Sequence, residues 1–142
     1  MTVATDRIAA ERGSVLMLMP AAVLILVILG AFALDRAVAF GAQRSLVATA
    51  QSAANNGAGG GLDIDLLRST GKVDLDPAAV GRQVHATVAA SGQAIEVSWS
   101  IEGDTVVVRL HQRVRYIFGP AVPGGDRDAV VGAVARANLR RR

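Results

Sequence analysis

Residues 15–34 read VLMLMPAAVLILVILGAFAL, twenty in a row without a charged side chain, and this stretch decides the architecture. A helix rising about 1.5 Å per residue would carry it roughly 30 Å, the thickness of a bilayer's hydrocarbon core. Pro20 and Gly30 interrupt the run, and membrane helices tolerate both because neighbouring groups re-satisfy the freed backbone. Asp35 and Arg36 end it abruptly. The sequence therefore predicts a transmembrane helix over 15–34, preceded by a short polar leader at 1–14 that is too small to fold alone.

Outward from this run the chain is ordinary. Its 142 residues leave room for about one domain, and the run accounts for the high hydrophobic content of 51% and the mean hydropathy of +0.38. Without cysteine there is neither a disulfide framework nor a thiolate metal site, so the distal part depends on packing. The net charge of +3 owes three positives to Arg140, Arg141 and Arg142, a local tail rather than a basic domain.

Residues 37–54 keep strong helix formers, with Phe40, Val47 and Ala54 at seven-residue intervals. They predict a juxtamembrane continuation of the same helix over 35–57, dissolved by Asn55, Asn56, Gly57 and the glycines at 59–61. A linker is expected over 58–76. It ends in Asp76-Pro77, an N-cap followed by proline at the first helical position, so a helix should run over 77–90 with Val80, Val84 and Val88 on one face.

Ile95, Val97, Trp99 and Ile101 alternate with Glu96, Ser98, Ser100 and Glu102, the period of two of a half-buried strand. Glu102-Gly103-Asp104 reads as a tight turn, and Val106, Val108, Leu110, Val114, Tyr116 and Phe118 resume the alternation to give a β-hairpin. A loop rich in glycine and proline follows at 119–125. Residues 129–139 read as a third strand or a short helix, and the β-branched Val130, Val131 and Val134 with Gly132 mid-segment favour the strand. The expected fold class is α+β: a long N-terminal transmembrane helix and a small domain over 77–142 with one helix and an antiparallel hairpin or three-stranded sheet.

Glu11-Arg12-Gly13-Ser14, the apolar run with Pro20 and Gly30, Asp35, Gln43-Arg44 and the alanine-rich stretch at 48–54 together resemble the TadE/TadG-like proteins. These are pseudopilin-like components of the bacterial tight-adherence (Flp) pilus system. The resemblance covers roughly residues 11–60. It implies a pilin-like, single-pass protein of the bacterial cell membrane, cytoplasmic at its N-terminus and extracytoplasmic beyond the span, whose partners are the membrane and other subunits of a pilus or secretion apparatus. One departure bears on processing. In such pilins a prepilin peptidase cuts after a glycine and a glutamate stands five residues on, whereas cleavage after Gly13 would put Leu18 there. The chain looks closer to the uncleaved TadG-like members.

No residue pattern points to catalysis. His85 and His111 lie on different elements and neither has a second His or Cys at ligand spacing, so no metal or cofactor is expected. The glycines at 57–61 lack the strand and the Lys-Ser/Thr pair of a phosphate loop. The hydroxyl residues have no base at a spacing that suggests a nucleophile, and no small-molecule substrate is inferred. Two features carry binding readings. Asp35, at the edge of the apolar run, either pairs with a cation on a neighbouring helix during assembly or simply marks the water interface. Arg109, His111, Arg113 and Arg115, two residues apart on the outward face of the second strand, either contact an anionic polymer or form a solvated face that deters edge aggregation. Nearby aromatics fall on the other face, which argues against nucleic acid.

Two further functions compete with assembly. Ala31-Phe32-Ala33 is an A-x-A sequence at which a signal peptidase could release a secreted product, although the run is longer than a signal core and the leader balances Arg7 and Arg12 against Asp6 and Glu11. The arginine row alone suggests a membrane-tethered binder of anionic polymer. Charge does not orient the span, since Arg7 and Arg12 precede it and Arg36 and Arg44 follow it.

Overall fold

The computed structural model describes residues 4–71, 74–121 and 124–139, with side-chain surroundings from Leu18 onward. Pro123 of the expected loop and the terminal arginines at 140–142 lie outside the described residues. The chain is α+β: helix α1 (Ala4–Gly60), a short α2 (Ile64–Thr70), α3 (Pro77–Ala89), and strands β1 (Ile95–Glu102), β2 (Thr105–Arg115) and β3 (Asp128–Asn138).

At 57 residues α1 is roughly 85 Å long, enough for a bilayer span with a second segment beyond it. Its helix runs unbroken through Pro20 and through the leader from Ala4 onward. From Leu18 it is apolar and long enough to cross a membrane, and Leu24, Leu26, Leu29 and Phe32 are all bare to their surroundings. Over residues 18–34 it is apolar all round with almost no protein against it, the length and composition that a membrane span requires.

Beyond Leu34 the same helix becomes one-sided. Asp35, Ala39, Ala42, Leu46, Ala50, Ala53 and Gly57 recur every three or four residues and form the face turned inward, while Phe40 and Val47 stay exposed. Of the three residues spaced seven apart, Phe40 and Val47 thus lie on the outer side while Ala54 is buried in the core. Small residues are inside because the helix lies on β3, whose inward residues are Val131, Ala133, Ala135 and Ala137. Alanine against alanine lets helix and sheet approach closely.

The sheet is antiparallel in the order β1-β2-β3. A two-residue turn at Gly103-Asp104, with Gly103 at φ 62°, joins β1 to β2. Helix α1 covers β2 and β3, and α3 lies beside it over β1, making two layers around one core. That core combines Leu46, Ala50, Ala53, Ala54 and Ala58 of α1, Val80, Val84 and Val88 of α3, and Val106, Val108 and Leu110 of β2. The domain expected over 77–142 therefore shares its core with residues 46–58.

The stretch expected as a linker over 58–76 holds α2. Asp63 caps it by accepting from the Leu66 N–H at 2.9 Å, and Gly71 closes it. A bridge between Leu62 and Leu75 and a bond from the Asp76 N–H to the Gly61 carbonyl at 2.8 Å pinch the two ends together. Asp76 then caps α3 through the N–H groups of Ala78 and Ala79. Two strong N-caps and a left-handed glycine suffice to turn this polar stretch into helix and tight loop.

Candidate functional site

The buried face of α1 begins with a carboxylate. Asp35 is only 4% exposed and is the one polar side chain among the buried residues described. Its two oxygens accept four hydrogen bonds from three consecutive backbone N–H groups: Oδ1 from Ile117 at 2.7 Å and Phe118 at 3.1 Å, Oδ2 from Phe118 at 3.2 Å and Gly119 at 2.7 Å. An ionised carboxylate has about four lone-pair sites, so this one is saturated within its own chain. Burial pushes the Asp35 carboxyl up, the bonds from Phe118, Ile117 and Gly119 push it down, and the net result holds it below the ordinary carboxylate range.

The receiving loop is shaped for the contact. As β2 ends at Arg115, the Tyr116 N–H donates to the Arg127 carbonyl at 2.9 Å, and a single 3₁₀ turn follows at Gly119–Ala121. A Cβ on Gly119 would collide with the Asp126 carbonyl oxygen and come 3.1 Å from Tyr116 Cβ, so only glycine lets the chain fold this tightly. The successive N–H groups turn toward one point and form an anion-binding concavity, which Asp35 fills.

Sequence reasoning singled out Asp35 for its position at the edge of the apolar run, as a contact to another helix or as an interface marker. Its partners are instead backbone groups 82 to 84 residues away in the same chain. No side-chain pattern announces a carboxylate bound to backbone N–H, and only the glycine of Gly119-Pro120 hints at a special loop.

The arginine row is present as a face but is not uniformly positive. Arg109, His111, Arg113 and Arg115 share the outer side of β2, away from the helices. Arg109 is half-buried, donating to Ser100 Oγ at 3.4 Å with Nη2 3.8 Å from Glu102 Oε1. Glu96 stands opposite His111, Asp128 opposite Arg115, and the exposed Val130 and Val134 opposite Arg113 and Arg109. His85 is exposed on α3. Among the described residues no three His, Cys, Asp or Glu side chains come together as a metal site.

No protein-family model, curated protein or solved structure matches the chain. Fold and site together define its class from within: an α+β protein on one long apolar N-terminal helix, with the end of the apolar run bonded to the foot of the head.

Proposed function

We propose that this chain is a single-pass membrane component of a tight-adherence pilus or related secretion apparatus, pseudopilin-like, working through helix packing and protein contacts rather than catalysis. The observation that carries the reading is the continuity of α1. One helix is bare and apolar over 18–34 and then supplies the inner wall of the head, so span and head share one unbroken element. A rigid stalk that enters its own head suits a subunit which transmits position from the membrane to a structure outside it. The resemblance of residues 11–60 to TadE/TadG-like proteins supplies the apparatus and the orientation, N-terminus in the cytoplasm and head outside.

The competing readings draw less support. Release after Ala33 would cut inside unbroken helix and leave Asp35 as the second residue of the product, with its loop still attached. Binding of anionic polymer would rely on a face where acids and valines on the neighbouring strands stand opposite the arginine row.

Carbonate washing of membranes from cells that make the full chain tests the proposal. The protein is expected in the membrane pellet with its N-terminus ahead of residue 15. A soluble product beginning at Leu34 would replace the anchored subunit by a secreted one.

A further inference from the structure

The bonds to Asp35 fix more than the loop's shape. Asp35 is the first residue past the uncharged run, so whatever it holds stands at the level where hydrocarbon gives way to headgroups. It holds Ile117, Phe118 and Gly119, and the residues Ile117 and Phe118 are 63% and 38% exposed although both are apolar. Pro120 beside them is exposed and Tyr116 is half-buried. Arg36, Arg115 and Arg127 are exposed in the same tier, the last tied to Tyr116 through the backbone.

We propose that the 116–121 loop is a lipid contact: it lies in the headgroup layer of the bilayer that α1 crosses, with Ile117 and Phe118 between the lipids and Arg36, Arg115 and Arg127 at their phosphates. The inference rests on the reading of α1 as a membrane span. A headgroup layer some 5–8 Å deep spans about one helical turn, so a loop bonded directly to Asp35 cannot stand clear of it. Aromatic and amphipathic side chains gather at this level because one end of each is apolar and the other wet. Cations there gain from lipid phosphate.

The same placement explains why a carboxylate is buried at that point. Irregular backbone entering a poorly hydrated layer must have its N–H groups satisfied by protein, and three of them in a row have no strand or helix to turn to. Asp35 satisfies all three. The head is thereby seated on the bilayer at two places, the helix and the loop, which fixes its tilt instead of leaving it to swing.

Because the chain has no cysteine, single labels can be placed at will. An environment-sensitive fluorophore is attached to the full chain in phosphatidylcholine vesicles after Ile117→Cys, Phe118→Cys, Leu24→Cys within the span, or Glu102→Cys at the far hairpin turn. Nitroxide lipids labelled near the headgroup or near the chain end then serve as quenchers, and near-ultraviolet ellipticity from Trp99 checks folding. The labels at 117 and 118 are expected to be quenched severalfold more than that at 102, and most by the shallow nitroxide, while the label at 24 responds to the deep one. If 117 and 118 match 102 while 24 is quenched, the loop contact is overturned and the span survives. If 24 is not quenched, the span fails and the loop contact falls with it.

Discussion

Asp35 Oδ2 lies 2.7 Å from the backbone nitrogen of Gly119, joining residues 84 apart in sequence at the point where the apolar run of α1 ends. With the bonds to Ile117 and Phe118 it makes one side chain the clasp between stalk and head.

Replacing that clasp should loosen one end of the molecule first. Asp35→Asn removes the charge and leaves one oxygen to face three donors. The amides of residues 117–119 should exchange with solvent orders of magnitude faster, and the full chain in detergent should melt several degrees lower. Unchanged exchange at these three amides would show that the loop holds itself.

The same contact sets a pH dependence. Because the folded protein holds the Asp35 carboxyl below its ordinary value, the ionised form stabilises the fold. That contribution is complete above the unfolded carboxyl's pKa near about 4, and it is lost as pH falls from there through the lowered folded value. The melting difference between wild type and Asp35→Asn should be constant near neutrality and shrink in acid. A difference that grew on acidification would contradict it.

Trp99 and Gly81 form a second dependent pair, since a Cβ on Gly81 would lie 2.8 Å from Trp99 Cζ2. Trp99→Ala strips a partly buried indole from the edge of the core, at a cost of about 3 kcal/mol. Gly81→Ala should destabilise the wild type by crowding a rigid ring. In the Trp99→Ala background it should instead stabilise, by about 0.5–1 kcal/mol from helix propensity alone. Denaturant melts of the four proteins close the cycle, and the same sign in both backgrounds would refute the contact.

The shared core predicts where the chain can be cut. A fragment of residues 35–142 retains Leu46, Ala50, Ala53, Ala54 and Ala58, whereas 62–142 loses that whole wall. The longer fragment should give a dispersed amide spectrum and the shorter one a collapsed or unfolded one. Within the full chain, Leu46→Ala empties a fully buried site and should cost about 2–5 kcal/mol. A cooperatively folded 62–142 would show that the stalk is dispensable.

Prepilin peptidase should leave the chain uncut after Gly13. A carboxylate within an apolar segment is costly to bury, and cleaved pilins offset it by a specific gain commonly assigned to the freed amine of a neighbouring subunit. Leu18 at that position supplies none. A leader so retained, with Asp6, Arg7, Glu11 and Arg12, would oppose withdrawal of the helix from the bilayer into a filament. Mass spectrometry of the protein from its own cells is expected to find an N-terminus at or near Met1, and a mature form starting at Ser14 would restore the filament subunit.

What the sequence determined by itself is local and periodic. Twenty uncharged residues specify one long apolar helix, Asp76-Pro77 starts α3, and alternation around Gly103 writes the hairpin, because each signal lies within a few turns or pleats of the backbone it controls. The third strand was legible only as a preference, since Val130, Val131 and Gly132 suit a strand without excluding a short helix, and pairing along β2 decided it. Tertiary structure alone decided which face of α1 is buried. The conspicuous Phe40 and Val47 stay outside because the face of α1 that packs against the alanines of β3 is the one carrying Leu46, Ala50 and Ala53. It alone turned Asp35 from an edge marker into the partner of residues 117–119. Backbone N–H groups are the same at every residue but proline, so no sequence pattern names the loop a buried carboxylate will bind.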